Sequence, residues 1–149
     1  MIPSRVFTDA LITTLATASG EIVGHGRQPD GKPSRYYILH RVDRQTSGAP
    51  FSDLNEDATL VYQVTSVSGP DPEDPDSFGT QSQLEWMEDK AREVFLGRDP
   101  ATRLWLHDIT APGIKVMGRR PGAEPGGTPD ATDGIMSSAI RFAFDLTST

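Results

Sequence analysis

Between Ala139 and Leu146 the side chains alternate without a break: Ile140, Phe142, Phe144 and Leu146 fall on one side, Ala139, Arg141, Ala143 and Asp145 on the other. Only an extended chain turns its side chains over at every residue, so a period of two predicts a strand. Large apolar groups on one side, with small or charged groups on the other, predict one buried and one wetter sheet face. The stretch "ATLVYQVTSV" (Ala58–Val67) repeats the pattern, opposing Leu60, Tyr62 and Val64 to Val61, Gln63 and Thr65. Any fold for this chain must cover one face of a sheet that contains both strands.

Two segments have the helical period needed to do so. Phe7, Leu11 and Leu15 recur every four residues behind Pro3, which predicts an amphipathic helix over 3–18 ended near Gly20. Leu84, Met87, Ala91, Val94 and Phe95 trace one face of a second helix over 82–96, with Ser82 and Glu85 spaced as a capping box, Glu88 and Arg92 as an i,i+4 pair, and Gly97 as its stop. "RYYILHRV" (35–42) reads as a further strand, after a Gly/Pro loop over 24–33. "RLWLHDI" and "GIKVMG" read as short extended segments, and "RRPGAEPGGTPDATDG" (119–134) as a long loop. The fold class expected is α+β: one domain over 1–149, a small, mostly antiparallel sheet with both helices on one face, and long Gly/Pro/Asp-rich loops at about 69–79 and 119–134.

Composition narrows the function. The 21 acids against 14 bases give a net charge of −7, which disfavours a surface that clings to nucleic-acid phosphates or anionic lipid. No cysteine is present, so disulfides, thiolate metal sites and cysteine nucleophiles are excluded. Thr8, Asp9, Thr13 and Thr14 interrupt the opening residues, which therefore do not read as a signal peptide, and a soluble, intracellular protein is expected.

The most suggestive motif, "GRQPDGKP" (Gly26–Pro33), begins as a phosphate-binding loop and fails at its last position. Pro33 has neither the hydroxyl that holds magnesium nor an N–H for phosphate, and a strand rather than a helix follows Lys32. His25, His40 and His107 share no spacing with an acid or serine that suggests a triad or a metal pair. Trp86 and Trp105 read as core or interface anchors. No nucleophile, base and oxyanion donor assemble, so an enzyme is not expected. Gly69–Gly79 packs three prolines with Asp71, Glu73, Asp74 and Asp76. It lacks the central glycine and closing Glu of a calcium loop, and a solvated, extended loop is the simpler reading, with a small metal- or ligand-binding domain as the alternative.

Taken in order, "DATLVYQVTSVS", "SQLEWMEDKAREVFLGRD" and "PGIKVMGRR" resemble the tail-terminator (tail-completion) proteins of long-tailed bacteriophages, particularly those of actinobacterial hosts, and more distantly the lambda tail terminator. The likeness runs from the first helix to the strand ending near Leu146. It implies a structural virion protein without cofactor, whose homo-hexameric ring caps the tail tube, ends tube polymerisation and meets the head-tail connector. Genomic DNA then passes through the lumen without specific binding, and an excess of acids on the lumen wall suits such passage. The implied location is the head-proximal end of the virion tail, and the host cytoplasm during assembly. A neck or head-closure protein of the same joint is the nearest alternative. The stretch 69–79 departs from the family pattern and reads as an insertion, with a deletion of 70–77 expected to spare the fold. The candidate interface residues are Asp71, Glu73, Asp74, Asp76 and Phe78 in the first loop, and Arg119, Arg120, Asp130 and Asp133 in the second.

Overall fold

The computed structural model describes residues 2–31, 33–47, 56–70, 73, 79–129 and 135–148. The elements run α1 (Ser4–Ser19), β1 (Val23–His25), β2 (Arg35–Ser47), β3 (Asp57–Ser68), α2 (Gln81–Leu96), β4 (Ile114–Pro121), β5 (Gly126–Pro129) and β6 (Met136–Ser148). The strands form a single sheet in the order β1-β2-β3-β6-β4, with β5 also paired to β6. Among the described residues only the β1–β2 pairing is parallel. The expected α+β class is borne out.

The two alternating strands lie side by side at the centre, with Tyr62 opposite Phe142 and Leu60 opposite Phe144. Both helices pack on the face these residues share. Phe7, Leu11 and Leu15 of α1, and Met87, Ala91, Val94 and Phe95 of α2, are fully buried against it. Phe144 touches the rings of Phe7, Tyr62 and Phe95, at centroid distances of 5.4, 6.0 and 5.7 Å. Each helix is also pinned by a tyrosine hydroxyl from the sheet. Thr8 of α1 donates to Ser4 O at 2.8 Å, so at 2.7 Å the Tyr62 hydroxyl donates to Thr8, while Tyr37 donates to Met87 O of α2 at 2.7 Å. Burial raises the pKa of both phenols, so they stay neutral donors.

A bulge between Arg41 and Asp43 places Arg41 and Arg44 on the same side of β2, where an unbroken strand would oppose them. Both then reach Ser4 at the start of α1, at 2.9 and 2.7 Å, and Arg44 adds Ile2 O and Glu56 at 2.8 Å each. The bulge thus fixes where α1 begins.

Four sequence expectations need correction. Helix α2 starts at Gln81 with Thr80 as its cap, accepting from Gln83 N–H at 3.2 Å, so the Ser82–Glu85 box is not the cap. Ser68 decides this, because its hydroxyl accepts Thr80 N–H at 3.2 Å and holds that residue in place. Gly97 does stop the helix, though with an extended backbone rather than a left-handed one. A Cβ there would lie 2.3 Å from Glu93 O, so only glycine allows so close a departure.

The loop expected from Gly24 is instead strand β1 up to His25. "RLWLHDI" is no strand, since only Trp105 forms a bridge, to Arg98. Of the loop expected over 119–134, seven of the eleven described residues are strand as well. Arg119–Pro121 belong to β4, and β5 pairs with Met136–Ala139 of β6. Between them Gly122 N–H donates to Arg141 O at 2.8 Å and Arg141 N–H to Ala123 O at 3.0 Å. Residues 114–129 therefore run along β6 as one interrupted strand. An edge position tolerates proline and glycine, because only one side of the strand must complete a ladder.

Candidate functional site

Asp71, Asp74, Asp76, Phe78, Asp130 and Asp133 lie outside the described residues, as does Lys32. Glu73 is exposed. The two arginines expected together at a loop edge are divided by the pleat of β4, and neither is a free surface cation.

Arg119 points to the helix-covered side and is only 8% exposed. It donates from Nη1 to Phe95 O at 3.2 Å and from Nη2 to His107 O at 2.8 Å. Phe95 is in the last turn of α2, whose carbonyls have no partner within the helix, so the guanidinium serves as a cap for that end. Its Nε has no hydrogen-bond partner among the described residues. Burial lowers its pKa to about 10, with Asp108 acting in the opposite sense and Arg98 adding to the fall, so it remains charged at neutral pH. Its expected role at an interface is therefore corrected to that of an internal pin.

Arg120 points to the uncovered side and grips Asp145 through two bonds of 2.9 and 3.1 Å. Asp145 also accepts from Thr59 at 2.7 Å, which ties β4, β6 and β3 together. Gln63 and Arg141 form a second cross-strand link at 3.1 Å. Arg120 remains more than half exposed, yet its charge is already paired within the chain.

What Arg119 holds in place is a tight hairpin over 97–107, closed by Leu106 N–H to Gly97 O at 2.9 Å and Asp99 N–H to Leu104 O at 2.8 Å. Arg103 turns its tip with φ of 62°, a strained value for a side-chain-bearing residue. Trp105 is half-buried, with the Arg98 guanidinium 3.8 Å and that of Arg119 4.7 Å from its ring centre, close enough for cation–π attraction. Because Trp105 faces inward, its neighbours face out: Leu104 is 68% and Leu106 43% exposed. Sequence reasoning missed these leucines. The signal was the spacing Leu-Trp-Leu, which opposes two leucines to the one residue large enough to anchor the segment.

Two shallow clefts flank residues 108–112. One brings Asp108 and Thr110 beside Asp9 and Thr13 of α1, the other beside Trp105, Lys115 and Arg119. A third, at the start of α2, is lined by Glu21, Arg35, Ser82 and Trp86, the last of which is 49% exposed. Among the described residues no three His, Asp or Glu side chains converge as metal ligands, and no helix is long and apolar enough to cross a membrane. These clefts are lined by polar and apolar side chains together.

The sequence matches no protein-family model and no curated protein.

Proposed function

We propose that this chain is a structural virion protein, the terminator ring of a long phage tail, which caps the tail tube, ends its growth and presents a surface to the head-side connector. The observation that carries the reading is where the resembling stretches fall. "DATLVYQVTSVS" is β3 from end to end, "SQLEWMEDKAREVFLGRD" is α2 with the first residues of the hairpin after it, and "PGIKVMGRR" leads into β4. The likeness thus follows successive structural elements in order.

A ring protomer needs a rigid body with projecting contacts, so that one interface repeated by rotation closes the assembly. The helix-backed sheet supplies a rigid body, and hairpin 97–107 carries exposed leucines away from the core. A net charge of −7 suits a lumen through which DNA passes without adhering.

The test is negative-stain electron microscopy of the purified protein, alone at high concentration and mixed with tail-tube protein. Closed rings with an open centre, or tubes capped at fixed length, are expected. Binding to portal or adaptor protein instead of tube would make it a neck protein of the same joint. Single particles that leave tubes growing would refute both readings.

A further inference from the structure

Charge is unevenly spread along this chain. Residues 71–89 contain seven acids and no base, whereas residues 98–120 contain five bases and two acids. Helix α2 joins the two runs and presents their exposed groups at different places. On its first half Glu85 and Asp89 flank the 49% exposed Trp86, and the cleft beside Trp86 is lined by Glu21 and Arg35, which pair with each other at 3.0 Å and leave that part of the surface neutral. Asp89 is partly offset by Arg92 at 3.0 Å, which leaves Glu85 the larger share of the negative charge. Beyond its last residue the hairpin presents Leu104 and Leu106 beside the exposed Arg98 and Arg103.

From Trp86 to Leu96 the helix rises about 15 Å at 1.5 Å per residue, so the two surfaces of one protomer are held apart by a rigid spacer. Each has an apolar centre with charges beside it, and the balance differs in sign: Glu85 and Asp89 outweigh Arg92 beside Trp86, and Arg98 and Arg103 outweigh Asp99 in the hairpin. Such surfaces complement each other between copies, and because they are unlike, the contact is heterologous and repeats head to tail.

We propose that the 97–107 hairpin of one copy docks, through Leu104 and Leu106, on the Trp86 surface of the next, with Arg98 and Arg103 facing Glu85 and Asp89. The choice of a second copy as partner rests on the ring reading above. The hairpin enters the contact already ordered, because its backbone is closed by two hydrogen bonds and Arg119 ties it to the end of α2. Little conformational freedom is then lost on docking.

The absence of cysteine makes the test direct. Two full-length variants, Ser82→Cys and Leu104→Cys, are mixed under mild oxidation, alone and on tail tubes. The mixture is expected to give a disulfide-linked dimer several-fold above either variant alone. Leu104→Glu is expected to abolish self-association with an unchanged circular-dichroism spectrum and thermal midpoint. Arg103→Glu weakens it about tenfold or more, and Glu85→Arg in the partner restores it. Rings or capped tubes that form without the cross-link, and persist in Leu104→Glu, would overturn this interface while leaving the ring reading intact. Monomers at every concentration beside uncapped tubes would overturn both. Duplex DNA retained by the wild type and released by Arg103→Glu, with no self-association, would assign the basic hairpin to nucleic acid and also overturn the proposal.

Discussion

The two faces of the sheet do different work with the same strands. On the covered face Phe142 and Phe144 of β6 meet Phe95, and Phe144 also meets Phe7 and Tyr62, all nearly free of solvent. On the other face β6 presents Arg141 and Asp145, which bond to Gln63, Thr59 and Arg120 of the strands on either side. The first arrangement removes aromatic surface from water, a gain of roughly 1.5–3 kcal/mol for each large side chain. The second exchanges water for side-chain partners on a half-exposed surface, where each link nets about 1 kcal/mol or less. What the uncovered face contributes is register: Gln63 meets Arg141, and Thr59 meets Asp145, only in the pairing observed. A slip of one residue would present the aromatic residues of β6 to solvent and dissolve both links at once.

This division is most sharply tested at neighbouring positions of the central pair. Phe144→Ala removes the ring on which three others converge and leaves a cavity the helices cannot fill, so a loss of about 3–5 kcal/mol in urea denaturation is expected. Gln63→Ala, one strand away on the opposite face, is expected to cost below about 1 kcal/mol. Equal costs at the two sites would mean that the uncovered face also bears the weight of the fold.

Among the described residues Arg119 is the one buried charge, and it lies on the apolar face. Arg119→Met keeps the length of the side chain and removes both bonds to Phe95 O and His107 O. Two carbonyls then lose their donor, while the desolvation of a buried cation is relieved. A net loss of about 1–3 kcal/mol is expected, smaller than for Phe144→Ala. It is accompanied by faster amide exchange at Leu106 and a red shift of Trp105 fluorescence as the hairpin loosens. Unchanged exchange at Leu106 would show that the backbone closure alone holds the hairpin.

What could be read from the sequence divides along the same line. The covered face was legible, because Phe7, Leu11, Leu15 and the apolar stripe of α2 recur at the helical period and Leu60, Tyr62, Phe142 and Phe144 at the strand period. The edge strands were legible only in part. "GIKVMG" reads as extended and opens β4. Pro121, Gly122 and Pro125 read as loop chemistry, yet an edge strand tolerates those residues, and its partner β6 is supplied by residues too distant in sequence for a local pattern to show. The same blindness misplaced Arg119. Adjacent arginines in a run of Gly and Pro look solvated, but once the run is a strand the pleat must send one of them inward. The exposed leucines were missed for a related reason: their exposure depends on Trp105 packing against two arginines, one of which belongs to β4.

The smallest expected effect lies in the charge of the uncovered face. The two bonds from Arg120 hold the Asp145 carboxyl below its ordinary pKa of 3.8, burial opposes this, and the bond from Thr59 adds to the lowering. A carboxyl with a depressed folded-state pKa contributes fully above its unfolded value, and the contribution is lost as pH falls through the folded one. Asp145→Asn is therefore expected to cost under about 1 kcal/mol at pH 7, because the pair is more than a third exposed and solvent screens it. As pH falls below about 4 the difference between mutant and parent narrows, since the parent carboxylate is then being protonated too. The depressed pKa of Glu56 is common to both proteins and cancels in the comparison. Thermal denaturation of the two proteins at pH 7, 5 and 3 measures the gap. A gap that stays constant with pH would mean that Asp145 acts through shape and hydrogen-bond geometry, which Asn retains in part, and that the uncovered face holds its register without help from charge.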